Sequence, residues 1–285
     1  MIETILAIGA TGMLGEPVAR QLSLDGFCVR IFTRSPEKAR ARFGDYYEIA
    51  VGDVDDVRSL EAALVGCQAA HINLHGVFDA DLERRGAENL ARAGAKRGLE
   101  RITYLSGASV CEENCWCEGT RVRFQAEQAI CSSGVPYTIF RSHFFMETLH
   151  NLVRGKLALE IGRHPHPYPW VAAADYGRMV ARAYATPETA DKILYICGPE
   201  YLSMHQALQI FSQIAHPGTR QVFVPLWMAS LIAHLGRRRE LQDALPFFRY
   251  CERVKIILSG SPDEANALLG APATTLEAWS RMQAV

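Results

Sequence analysis

Thr4-Ile5-Leu6-Ala7-Ile8-Gly9-Ala10-Thr11-Gly12-Met13-Leu14-Gly15 is the stretch that decides how this chain folds. An apolar run from Thr4 to Ile8 breaks into glycines spaced three apart. An amphipathic helical pattern, Leu14, Val18 and Leu22, then begins. The order predicts strand, tight turn, helix. Gly9 permits the sharp turn, and Gly12 has no Cβ to keep a pyrophosphate from the backbone. Gly15 lets the helix lie close on the strand. Exposed N–H groups and the positive helix end then favour an anion. A glycine triplet alone would say little, because a glycine-rich turn can bind nothing. The flanking strand and helix supply the missing context.

The second strand, Phe27 to Thr33, carries the choice of nucleotide. A site for NAD usually ends this strand in Asp or Glu, which accepts from the ribose 2′-hydroxyl. Here Thr33 and Arg34 stand there instead. A guanidinium pairs with a phosphate in a fork geometry, so Arg34 argues for NADP(H), with Lys38 one turn into the next helix as a second charge. After a third strand ending at Val51, Asp53 is placed to accept from the adenine amino group, with Val54 against the ring. Asp55 or Asp56 is expected to cap the following helix. Thr11, Met13 and Leu14 in the turn belong to the same nucleotide-facing set, as does Asn73 at the end of a strand expected over 68–74.

Around this core, strands are expected near 3–8, 27–33, 46–51, 68–74, 101–106 and 137–141. Helices are expected at 13–24, 36–42, 57–64, 79–97 and about 120–133. Such alternation implies a doubly wound parallel sheet, a Rossmann-type α/β fold. From Gly162 to Trp170 the chain is too rich in proline for a helix or central strand. Asp175 is expected to start a helix over Tyr176–Tyr184, and Ile193–Ile196 reads as another strand. Ser203 should cap a helix to about Ala215, with further helices at 225–236, 240–251, 262–269 and 274–283. The organisation expected is a nucleotide-binding domain of residues 1–142 and 171–197. A smaller, mostly helical lobe would be made from 143–170 and 198–285.

The chain has 285 residues, with 30 Lys and Arg against 31 Asp and Glu. This near balance gives no reason to expect nucleic acid or an anionic membrane as partner, and Arg237-Arg238-Arg239 reads as a solvated helix end. No apolar stretch is long enough to span a bilayer; the apolar region Val222–Leu235 holds a short helix bounded by Pro225 and His234. A strand begins directly at the N-terminus with no signal peptide, and the eight cysteines look like small apolar residues in a reducing compartment, so the expectation is cytoplasmic. Cys111, Cys115 and Cys117 crowd into seven residues, but their spacing fits no common zinc pattern and free thiols are expected. His164-Pro165-His166 is too stiff and short for a usual zinc pair, so no metal site is expected.

Together the motifs resemble the atypical short-chain dehydrogenase/reductases of the NmrA-like group. The resemblance rests on Gly9–Gly15, Thr33-Arg34, Tyr104-Leu105-Ser106, and Glu127 followed by Ser133 to Arg141. It continues through Phe144-Phe145-Met146-Glu147, Asp175-Tyr176-Gly177 and Gly198-Pro199-Glu200. It implies NADP(H) and a small organic ligand in the cleft between the lobes. It also implies Ser106, Arg123 and Phe144 as further cofactor contacts, one of Phe144 and Phe145 forming a wall against the nicotinamide. It does not imply one activity: some members reduce quinones, dyes, imines or plant phenolics, and others sense the nucleotide and regulate a protein partner.

The Tyr-x-x-x-Lys pair of the wider superfamily is missing. Aligned on Glu127, the tyrosine position is Gly119 and the lysine position is Arg123. Arg123 can hold ribose or phosphate but does not release a proton at neutral pH. Three readings follow. The chain transfers hydride to a quinone, enone or imine with help from Ser106, His143 or Tyr168; or it is a non-catalytic NADP(H) sensor acting through a protein partner; or it keeps the fold only as a scaffold.

Overall fold

The computed structural model describes residues 2–74, 79 and 81–284. Strands and helices alternate through the first half: β1 (Thr4–Ile8), α1 (Gly15–Leu24), β2 (Cys28–Thr33), α2 (Pro36–Phe43), β3 (Glu48–Val51), α3 (Val57–Ala63), β4 (Ala69–Ile72), α4 (Leu82–Arg97), β5 (Arg101–Gly107), α5 (Glu118–Cys131) and β6 (Tyr137–Ser142). The expected fourth helix thus begins at Leu82; residue 80 lies outside the described residues. Asp56 caps α3 by accepting from the Arg58 amide, and Gly98 ends α4 in a left-handed conformation at φ 69°.

The chain continues with β7 (Val153–Arg154), β8 (Leu157–Ile161), β9 (Tyr168–Pro169), α6 (Ala173–Ala185) and β10 (Lys192–Ile196). After these come β11 (Tyr201–Leu202), α7 (Met204–Ala215), β12 (Arg220–Val224), α8 (Leu226–Leu235), α9 (Arg239–Arg253), α10 (Asp263–Leu269) and α11 (Leu276–Gln283). Ser203 caps α7 in a reciprocal capping box with Gln206.

Seven strands form one parallel sheet in the order β10-β6-β5-β4-β1-β2-β3. The order reverses between β1 and β4, the switch point at which open α/β sheets take their ligands. Nearly continuous apolar strands such as Ile5–Ile8 are buried on both faces, as parallel sheets require. One face packs on α1, α6 and α10 through Val18, Leu22, Tyr176 and Val180; the other packs on α3, α4 and α5 through Leu60, Leu90 and Ile130.

Residues after β6 build a second apolar cluster, in which Met146, Leu149, Trp170, Phe211 and Trp279 meet. Five strands here were absent from the expectation: β9 and β11 are a two-residue antiparallel pair, and the other three form a small sheet. β12 lies parallel to β8, and β8 antiparallel to β7. They are two to five residues long and only half buried, so the period-2 pattern that marks a strand is too short to stand out. The expected role of Asp175 is corrected too. The helix starts two residues earlier, at Ala173, and Asp175 Oδ2 instead accepts from the amides of Ala273 and Thr274.

Candidate functional site

The glycine turn is built by contacts that only glycine tolerates. A Cβ on Gly9 (φ 80°) would lie 1.9 Å from the Asn73 carbonyl oxygen, and one on Gly15 would lie 2.2 Å from the Gly9 carbonyl oxygen. Gly9 O instead accepts from the Gly12 amide at 3.0 Å, and Gly12 O accepts from Glu16. Gly12 itself is exposed, its Cβ direction meeting only Gly9 O at 3.2 Å. Leu14, at the helix N-cap, offers no side-chain cap. Among the described residues no acceptor takes the amides of Met13, Leu14 or Gly15. Three free N–H groups at a helix start form an anion cradle, and a pyrophosphate fits it.

Arg34 and Asp53 end neighbouring strands and face each other, Nη1 to Oδ2 at 3.7 Å, both well exposed. The Thr33 hydroxyl is turned aside, accepting from the Ser35 amide. Lys38 is exposed on α2. Val54 is 7 % exposed and packs with the second-face core, so little of its side chain is left for an adenine.

At the carboxyl ends of β4, β5 and β6 a buried polar group assembles. Glu83, on the inner face of α4 and 5 % exposed, accepts from the Tyr104 hydroxyl at 2.7 Å and from Arg123 Nε at 3.2 Å. The attraction of Glu83 holds Arg123 protonated, while burial and the same carboxylate push the Tyr104 hydroxyl up. Arg123 Nη1 comes within 3.9 Å of the Cβ direction of Gly107. No acceptor among the described residues takes its outer nitrogens. Gly119 lies in the first turn of α5 with open space where a side chain would go.

Ser106 Oγ, Ser142 Oγ and His143 Nε2 are buried without a hydrogen-bond partner. Gly107 and Ser142 are register partners, so Ser106 and Ser142 end adjacent strands on opposite faces of the sheet, and His143 follows β6 directly. His143 is held neutral, its pKa lowered to about 4 by burial. Its ring lies 5.6 Å from that of Tyr168. Tyr168, 2 % exposed, points its hydroxyl at His164 Nδ1 across 3.4 Å, and burial pushes its pKa well up. Phe144 is half buried, stacked on Trp170 at 5.2 Å and met edge-on by Tyr168 at 4.8 Å and Phe247 at 5.7 Å. Phe145 lies in the core against Tyr176.

Sequence reasoning passed over Glu83, Trp170 and Phe247. Glu83 carried a readable signal: it shares the helical face of Gly86, Leu90 and Gly94, and an acid on a buried face must be paired. The family signature residues Glu127 and Arg141 form a buried bidentate clamp, at 2.9 and 2.5 Å, that ties α5 to the end of β6. Cys111, Cys115 and Cys117 are half-buried free thiols. Among the described residues no cluster of three or more His, Cys, Asp or Glu is arranged to hold a metal, and no helix is long and apolar enough to cross a membrane.

The NmrA-like family model matches residues 1–279. The (4-alkanoyl-5-oxo-2,5-dihydrofuran-3-yl)methyl phosphate reductase of Streptomyces griseus is 27 % identical over 280 residues, covering 97 % of this chain and 96 % of that protein. The NAD(P)H azoreductase of Xenophilus azovorans is 25 % identical over 286 residues, covering 98 % of each. Among solved structures, the Citrobacter triphenylmethane reductase complexed with NADP(H) superposes with a TM-score of 0.77 at 18 % identity, covering 99 % of this chain and 100 % of that one.

Proposed function

From the premise that the chain belongs to the NmrA-like family, we propose that it binds NADP(H) and reduces a small electron-poor organic acceptor, a quinone, enone or imine, without a tyrosine–lysine relay. The observation that carries this reading is the set of orphaned polar atoms at the carboxyl ends of β5 and β6, Ser106 Oγ, Ser142 Oγ and His143 Nε2. Each unpaired buried group costs about 1–3 kcal/mol. A bound group that supplies partners removes that cost. That the relatives named above are reductases supports an enzyme over a sensor or scaffold.

NADPH, when bound, supplies hydride from nicotinamide C4. The free amides of Met13, Leu14 and Gly15 hold the pyrophosphate, and Arg34 takes the 2′-phosphate. Asn73 and Ser106 line the path between them, Phe144 walls the nicotinamide side, and Arg123 presents its outer guanidinium edge to ribose hydroxyls or phosphate. No group here is matched to deliver a proton at neutral pH. Arg123 holds its own, and the Tyr168 proton is directed at His164. His143 is neutral, its one hydrogen-bonded nitrogen engaged with the Ile257 backbone. An acceptor that stabilises its own negative charge needs least from such a site.

The test is a panel of acceptors mixed with NADPH and followed at the nicotinamide absorbance. Quinones and enones should react, and simple ketones should not. Rapid reduction of an unactivated ketone overturns the reading. Tight NADPH binding with no turnover of any acceptor replaces it with the sensor, which the vacancy at Gly119 favours among the alternatives.

A further inference from the structure

Helix α8 is built inside out. Its only fully buried residues are the small Ala229 and Ala233, which pack with Leu245 of α9. Leu226 packs inward with them, but four large side chains face outward: Trp227 is 68 % exposed, Leu231 51 % and Leu235 78 %, with Ile232 beside them and Phe223 exposed on the adjoining β12. Trp227, Leu231 and Leu235 are spaced four apart, so they form one stripe along the helix. A contiguous exposed apolar stripe is unusual on a surface that stays in water.

Basic residues predominate along the chain around the stripe. No Asp or Glu occurs between Glu200 and Glu240, whereas Arg220, Arg237, Arg238 and Arg239 do. All four arginines are exposed, and three of them follow the C-terminal end of the stripe directly. Glu240 follows the arginines directly in sequence, and Asp243 is exposed on α9. Glu252, across the shallow groove that Arg163, Phe223 and Trp227 line, is engaged by the Arg163 amide at 2.8 Å. The chain as a whole is nearly neutral, so this concentration is local. An apolar row bearing tryptophan and ending in arginines matches the two layers of a lipid surface, acyl chains below and anionic headgroups above.

We propose that α8 and its arginine run dock this protein in the plane of an anionic lipid surface. Ten residues of helix reach about 15 Å, half of a hydrocarbon core, so the helix lies in the interface and does not cross it. A second copy fits the same face less well, because a two-fold contact sets one arginine-rich surface against its equal. Docking also has a consequence for substrate, which alone rests on the reductase reading. α9 packs on α8 and carries Phe247 to Phe144, so the aromatic wall of the cleft sits next to the lipid and an acceptor dissolved in the bilayer is within reach.

Vesicle flotation of the full chain tests the docking without any turnover. Vesicles of phosphatidylcholine alone are compared with vesicles enriched in phosphatidylglycerol, at low and high salt. The expected result is flotation with the anionic vesicles only, weakened by salt. Partitioning should fall at least about tenfold in Leu231→Glu/Leu235→Glu and in Arg237→Ala/Arg238→Ala/Arg239→Ala. All these side chains face solvent, and the single Leu235→Glu serves if the double variant loses its far-ultraviolet circular dichroism. Failure of the unmodified chain to float with anionic vesicles overturns the proposal. So does undiminished flotation of the leucine variants, or a dimer in solution that Leu235→Glu dissociates while lipid binding is absent. NADPH binding measured on the same variants keeps this result separate from the reductase reading, since none of the changed residues touches the nucleotide site.

Discussion

Arg123 is tied to Glu83: its Nε donates to Oε1 at 3.2 Å while the Tyr104 hydroxyl donates to the same oxygen at 2.7 Å. The carboxylate is buried and the arginine side chain is 30 % exposed; its Nε edge is fixed, and among the described residues no acceptor takes its outer nitrogens. Arg123→Ala strands a buried carboxylate with a tyrosine as its remaining partner. It should cost about 1–3 kcal/mol of stability in urea denaturation and weaken NADPH binding as well. Arg123→Lys keeps the charge without the fork and should fall between. An Arg123→Ala variant as stable as the parent would show that the pair does not hold the arginine.

Two glycines three residues apart should fail in opposite ways. Gly12→Val directs a branched side chain outward, meeting Gly9 O at 3.2 Å. The fold should survive while NADPH binding is lost, because the side chain stands where the pyrophosphate must approach. Gly15→Ala drives its Cβ to 2.2 Å from Gly9 O, with no flexible neighbour to yield. It should destabilise the domain by about 3 kcal/mol whether or not nucleotide is present. Thermal melts with and without NADPH separate the two. A Gly12→Val chain whose melting temperature still rises with NADPH would remove the turn as the phosphate site.

Arg34→Ala should lose the contribution of the 2′-phosphate, about 1.5–3 kcal/mol for a charge-assisted bond, and leave NAD(H) affinity nearly unchanged. Asp53 modifies this. Its carboxylate stands 3.7 Å from the guanidinium and competes with a phosphate. The pair is exposed, so Asp53→Asn should tighten NADPH binding by no more than about 0.5–1 kcal/mol. Calorimetric titration of both nucleotides checks both variants. Equal loss of NADH and NADPH affinity in Arg34→Ala would contradict the assignment.

What could be read before the structure depended on whether the deciding contact was local. The glycine turn, the Asp56 cap and the Ser203 capping box are written within a few residues of sequence, and they stand where that sequence puts them. The pairing of Arg34 with Asp53 joins the ends of two strands, and the grip of Glu83 on Arg123 joins two helices across β5. Neither has a local pattern. The end of β2 itself carries no carboxylate, and the partner of Arg34 comes from the loop after β3. The short strands β7, β8 and β12 were hidden for a further reason, since pairing between distant segments, and not their own alternation, makes them strands.

Acid should unfold this protein through its histidines. His71 is 1 % exposed between β1 and β5, and a chain of donors fixes its tautomer. Tyr184 donates its hydroxyl proton to Ala70 O at 2.9 Å, so the Thr103 hydroxyl, 2.6 Å away, donates to Tyr184, and His71 Nδ1 donates to Thr103 at 2.8 Å. His71 Nε2 is therefore bare, and among the described residues nothing partners it. Protonation there would put an unpaired cation in the core, and burial lowers the pKa to about 3. Burial lowers His143 as well, to about 4. In both, the folded pKa lies below the unfolded value of about 6.5. Above that value both states are neutral and stability is unaffected. As pH falls below it, the unfolded chain takes up protons that the folded chain refuses, so stability drops by up to about 1.4 kcal/mol per pH unit for each histidine. The loss runs until the folded pKa is reached. Glu147 opposes it, because burial raises its pKa and favours its protonated form on acidification. Urea denaturation across this window should show falling stability, with a shallower slope in His71→Leu, which removes one titrating group and leaves the Thr103–Tyr184 bond in place. An identical slope in that variant would mean that His71 takes up its proton without unfolding the sheet.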